Sequence, residues 1–132
     1  MPLVRIDLRE GRPSGFGARV GDVVYRTMVE TLNVPAQDNF QVIAEHRPGG
    51  LVFDPGYLGV SRSDGVIFVQ VTLNEGRTLE VKRAFYAKLA ERLQAELSVR
   101  PEDVLVSLVE VKKENWSFGN GLAQYAPVER VP

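Results

Sequence analysis

The apolar pattern of the chain runs twice through strand, helix, strand, and that order leaves few folds open. Residues 3–8 alternate, with Val4, Ile6 and Leu8 on one face and Leu3, Arg5 and Asp7 on the other. Over residues 18–32 the period becomes helical: Val20, Val24, Met28 and Leu32 recur every four positions, with Val23 beside them. Pro35 ends that helix, and residues 40–45 read as a second strand. Residues 66–73 are nearly all apolar and rich in β-branched and aromatic types, as a buried central strand requires. Thr78 then caps a second helix whose stripe is Val81, Phe85, Leu89, Leu93 and Leu97. Pro101 punctuates, and Val104–Val111 is the last strand.

The two halves echo each other. The first helix runs into Leu32, Val34, Pro35 and Asp38, the second into Leu97, Val99, Pro101 and Asp103, and each is followed by an apolar strand. Two right-handed βαβ units side by side give an α+β fold: a four-stranded sheet with both helices on one face. We therefore expect one domain over 1–132, with a pseudo-repeat of about 1–63 and 64–132. The other sheet face keeps apolar side chains, so oligomerisation is expected to cover it.

Some boundaries are less clear. Gly15, Gly17 and Gly21 weaken the start of the first helix, at about 1 kcal/mol each relative to Ala, and Ser14 is an alternative cap. Residues 46–63 read as irregular, with an extended piece at Leu51, Val52 and Phe53. From Lys112 onward the tail reads as turn-rich, with short strand pairing.

Composition removes most catalytic inventories. With no cysteine there are no disulfides, thiol nucleophiles or thiolate metal sites, as suits a reducing cytoplasm. The single histidine, His46, lies in no H-x-x-x-H or H-E-x-x-H pattern, so no metal or other cofactor is expected. No G-x-S-x-G elbow supports a serine triad. A net charge of -1 with mixed signs points away from nucleic acid and anionic membranes. No apolar run spans a bilayer and no signal peptide opens the chain, so a cytoplasmic location is expected.

What remains are amines, carboxylates and arginines. Pro2 follows the initiator methionine, which is normally removed before a small residue. Its nitrogen would then be a free secondary amine, in a class that titrates near ~8. By itself Pro2 need be no more than an accident of the start.

The strand P-L-V-R-I-D-L opening on Pro2, with the doubled βαβ pattern, resembles the tautomerase superfamily, which uses an amino-terminal proline. V-P-A-Q-D-N-F-Q at 34–41, H-R-P-G at 46–49, L-G-V-S-R-S at 58–63, G-R-T-L-E at 76–80 and N-W-S-F-G-N-G at 115–121 resemble the malonate semialdehyde decarboxylase branch. The resemblance covers nearly the whole chain. It implies Pro2 and Asp38 as catalytic residues and Arg77 as the substrate arginine. It also implies an aromatic wall of Trp116 and Phe118, with Tyr125 as a third member. One branch of the family has two arginines before the second helix; here the earlier positions are Asn74 and Glu75, so only Arg77 remains.

Read without the resemblance, Asp38 is a residue of a proline turn bonded to local backbone, and Trp116 and Phe118 are core. Arg77 is the exception, because a cation just before a helix N-terminus is unfavourable and so suits a ligand role. Arg62 reads as a structural pairing, and His46 as a turn or edge residue.

The implied reaction is decarboxylation of a 3-oxo acid such as malonate semialdehyde by a homotrimer, giving acetaldehyde and carbon dioxide. The alternatives are a keto–enol tautomerase or hydratase acting on 2-oxo or unsaturated acids, and a non-catalytic interaction module retaining the fold.

Overall fold

Alternation in the first strand decides which way the sheet faces. In a computed structural model describing residues 2–127, Val4, Ile6 and Leu8 of β1 (Leu3–Arg9) are buried, while Leu3 and Arg5 are exposed. The remaining main elements are α1 (Phe16–Thr31), β2 (Phe40–His46), β3 (Ile67–Asn74), α2 (Leu79–Leu97) and β4 (Val104–Val111). The strand order is β2-β1-β3-β4. Each helix links two parallel strands, β1 to β2 and β3 to β4, and the central pair β1/β3 is antiparallel. This is the expected four-stranded sheet of two βαβ units.

The core lies between the sheet and both helices. Val4, Ile6, Leu8, Ile67, Val69, Val71 and Leu73 meet Val20, Val24 and Met28 of α1 and Phe85, Leu89 and Leu93 of α2. Each such buried side chain contributes about 1.5–3 kcal/mol. Across the helices, Arg26 bonds Glu96 and Arg92 pairs with Glu30, while Arg26 also bonds Asp22 of its own helix.

Both helices end alike. Asn33 and Ser98 take left-handed backbone (φ 56° and 57°), and the following Val34 and Val99, both buried, donate back to the carbonyls of Met28 and Leu93. Thr78 caps α2 as expected, its hydroxyl accepting from the Val81 amide at 3.2 Å.

Three local expectations are corrected. α1 starts at Phe16, and its cap is Gly15 at φ 83°, not Ser14; the left-handed turn needs glycine and no side chain bonds the first turn. Residues 51–53 form no strand, and Arg62 holds the irregular chain that follows them by donating from Nη1 to the carbonyls of Asp54, Tyr57 and Val60. Among the described residues the tail forms no strand; it makes a 3-10 turn at Lys113–Asn115 and then irregular chain.

The helix-free face of the sheet is apolar on its edge strands, with Phe40, Val42 and Leu105 exposed, and at the start of β1, with Leu3 exposed. Nearer its centre, Asp7 accepts from Arg5 at 2.9 Å and bonds His46 at 2.5 Å. His46 closes the edge strand β2.

Candidate active site

The antiparallel junction brings the start of the chain to its middle. Leu3 pairs with Phe40 on one side and Thr72 on the other. Pro2, buried just ahead of Leu3, therefore enters the sheet between the turn that carries Asp38 and the turn that carries Arg77. Beside it lies a cavity of about 230 Å³ lined by Pro2, Leu3, Phe40, Trp116, Ser117 and Phe118.

The aromatic wall is built by the tail. Trp116 and Phe118 stack with centroids 5.6 Å apart at 16°, and Tyr125 packs edge-on against Phe118 at 4.9 Å. Tyr125 thus backs the wall and does not line the cavity. Gln124 fixes the loop beneath it, accepting from the Phe118 amide and donating to the Gly119 carbonyl, both at 2.9 Å.

Arg77 is held by backbone. Its Nε donates to the Leu32 carbonyl at 2.9 Å and its Nη1 to the Asn74 carbonyl at 3.0 Å. Nη2 has no hydrogen-bond partner among the described residues, so two neutral carbonyls fix the guanidinium and leave a donor over. Asn74 also accepts from Trp116 Nε1 at 2.8 Å, linking the arginine's turn to the aromatic wall.

Asp38 is half-buried in the turn before β2, its amide donating to the Pro35 carbonyl at 3.2 Å. It lies two residues ahead of Phe40, which lines the cavity. Around the other turn, Glu110 lies below the usual carboxylate range. The hydrogen bond from Lys82 is the main cause; burial opposes it, and the Gly76 amide and nearby Arg77 add to it.

The sequence reading missed Leu3, Phe40 and Ser117 as cavity residues and treated Asn74 only as a missing arginine. Strand register, which would have placed Leu3 and Phe40 together, is not legible in one sequence. A larger groove of about 420 Å³ lies between the helices, but its Arg26 is already paired with Asp22 and Glu96. No group of His, Asp or Glu able to hold a metal occurs among the described residues, and none of their helices is long and apolar enough to cross a membrane.

Two family models, both described as tautomerase enzyme, match this chain, one over residues 2–61 and one over residues 38–119. Two proteins of Bacillus subtilis (strain 168) are similar along nearly their whole lengths. The probable tautomerase YusQ is 43% identical over 94% of this chain and 98% of its own. The probable tautomerase YrdN is 38% identical over 95% of this chain and 96% of its own. Among solved structures, malonate semialdehyde decarboxylase, described with decarboxylase and hydratase activities, matches at TM-score 0.86 and 36% identity. That match covers 93% of this chain and 95% of the other. A malonate semialdehyde decarboxylase inhibited by 3-bromopropiolate matches equally well, at TM-score 0.86 and 36% identity over 93% of each chain.

Proposed function

The chain belongs to the tautomerase superfamily, and from that premise we propose that it decarboxylates a small 3-oxo acid of the malonate semialdehyde type through the secondary amine of Pro2. The observation that carries the reading is the meeting of Pro2 with the Trp116–Phe118 wall in one small cavity, with Arg77 tied to that wall through Asn74.

Loss of carbon dioxide leaves an electron pair on the α carbon, and the neighbouring carbonyl takes it up when its oxygen is stabilised. Protonated Pro2 donates to that oxygen, so the C–CO₂ bond breaks to give carbon dioxide and an enol. The enol then takes a proton from solvent at carbon and returns its hydroxyl proton to Pro2, which leaves acetaldehyde and the cationic amine. Asp38 favours the cationic amine, because an opposite charge raises an amine's pKa. Arg77 Nη2 binds the substrate carboxylate and orients the breaking bond. The apolar wall keeps that carboxylate from being fully satisfied, which would stabilise the ground state and slow the reaction.

Keto–enol tautomerisation of a 2-oxo acid is the second reading, and the names of the two curated relatives favour it. It needs a neutral Pro2 acting as a general base. The exposed Leu3, Phe40, Val42 and Leu105 on the helix-free sheet face support a homotrimer.

The test is turnover of 3-oxo, 2-oxo and unsaturated acids followed by proton NMR, with the Pro2→Ala variant in parallel. Acetaldehyde formed from malonate semialdehyde and lost in Pro2→Ala supports decarboxylation. Exchange of α protons on 2-oxo acids without carbon dioxide release replaces it with tautomerisation.

A further inference from the structure

Asn74 is the last residue of β3 and joins two parts of the site that come from different ends of the fold. Its backbone carbonyl accepts from Arg77 Nη1 at 3.0 Å, and its side-chain Oδ1 accepts from Trp116 Nε1 at 2.8 Å. An indole N–H is a donor only, so it needs the oxygen of the amide and not its NH₂ group. That fixes the side chain's orientation without reference to any ligand.

The bond matters because of how little else sets the indole's rotation. Trp116 lies on irregular chain; its ring stacks on Phe118, and among the described residues its other hydrogen bond is a long backbone one, 3.4 Å from its amide to the Lys113 carbonyl. A stacked pair can slide or turn in its plane, whereas a hydrogen bond to a strand terminus cannot. Asn74 is in turn anchored by pairing with Val111 of β4. The sheet thus fixes Asn74, and Asn74 fixes the wall and the guanidinium relative to each other.

We infer that Asn74 is a positioning residue, whose Oδ1 sets the orientation of Trp116 and hence the spacing between the aromatic wall and Arg77 that a carboxylate substrate must fit. This rests on the proposed function only where substrate is concerned. The Arg77 contact uses backbone, so side-chain substitution severs the link to Trp116 alone.

Trp116 is the only tryptophan in the chain, so its emission reads this bond directly. The experiment compares Asn74→Leu, which keeps bulk and loses the acceptor, with Asn74→Asp, which keeps the acceptor. Emission maximum, acrylamide quenching and the kinetics of malonate semialdehyde turnover are measured for each, in the wild-type and Trp116→Phe backgrounds for kinetics. Asn74→Leu is expected to shift the emission and raise quenching, and to raise KM about tenfold with little change in kcat. Asn74→Asp is expected to restore both optical signals. In Trp116→Phe, which has no indole donor, Asn74→Leu is expected to change KM no further.

Wild-type emission and quenching in Asn74→Leu would overturn the inference. So would failure of Asn74→Asp to restore them, or an undiminished KM effect in Trp116→Phe. If wild-type protein turns over no malonate semialdehyde, the reaction reading fails, while the optical comparison still decides the role of Asn74. Should Asn74→Leu not fold, Asn74→Ser decides it instead: native emission overturns the inference and a shifted one supports it, because its shorter hydroxyl cannot span the same distance.

Discussion

Arg77 Nε donates to the carbonyl of Leu32, the residue that closes α1, from 45 positions further along the chain. The sequence places this arginine just before α2, where the helix dipole disfavours a cation. The fold places it equally at the C-terminus of α1, where the dipole favours one. Arg77 is therefore a helix-end ligand as well as a candidate substrate ligand.

For Arg77→Ala this implies two separable losses. The kcat/KM on any carboxylate substrate should fall at least about tenfold, since charged hydrogen bonds contribute roughly 1.5–3 kcal/mol. Stability should fall as well, by about 1 kcal/mol, through the vacated α1 carbonyl. Steady-state kinetics and urea unfolding measure the two. Arg77→Ala with wild-type kinetics would remove Arg77 from the site.

The protonation of Pro2 separates the two proposed reactions. On the proposed reading, opposed influences act on the amine: the Asp38 carboxylate would raise its pKa, and Arg77 and burial would lower it. With Asp38 two residues ahead of Phe40, which pairs with Leu3, a midpoint above about 7 is expected. It should fall by about one unit or more in Asp38→Asn. An NMR titration of protein labelled with nitrogen-15 proline reads this. A midpoint well below neutral would make Pro2 a base and the tautomerase reading the better one.

Asp7 supplies a pH dependence away from the cavity. Burial pushes its carboxyl up, but hydrogen bonds from His46 and Arg5 together hold it below the usual carboxylate value of 3.8. A carboxyl depressed in the folded state stabilises above its unfolded pKa, and that contribution disappears as pH falls through the folded value. Asp7→Asn should therefore be less stable than wild type at pH 7, and the difference should shrink below about pH 4. Thermal melts across that range check it; a constant difference would mean that the loss is one of packing.

Thr78→Ala should cost about 1 kcal/mol through loss of the α2 cap. Thr78→Ser, which keeps the hydroxyl, should recover most of it in the same unfolding assay.

Much of this architecture was legible because each strand and helix carries its own period. The parallel ends of the two helices were visible too, as Leu32–Val34 against Leu97–Val99. What failed was local chemistry that depends on a partner. Gly17 and Gly21 count against a helix by propensity, yet the fold uses them for close approach. A Cβ at Gly17 would lie 2.9 Å from Ile43 Cγ2, and one at Gly21 2.3 Å from Gln41 Oε1. Likewise, the sequence presented Asn74 as an absent arginine. Its actual bonds run to Trp116 and Arg77, and only the folded turn brings those together.

The position of β1 between β2 and β3 has a consequence for how such a protein can diversify. Pro2 stands just ahead of a strand paired along both edges, so the nitrogen proposed to react is the least adjustable part of the cavity. Trp116 and Phe118 stand on a tail whose Gly119, Asn120 and Gly121 turn through left-handed backbone outside the sheet. Exchanges in that tail leave β1, β3 and the core in place. New substrates can therefore be acquired there by remodelling the wall while the chemistry at the other end of the chain stays constant.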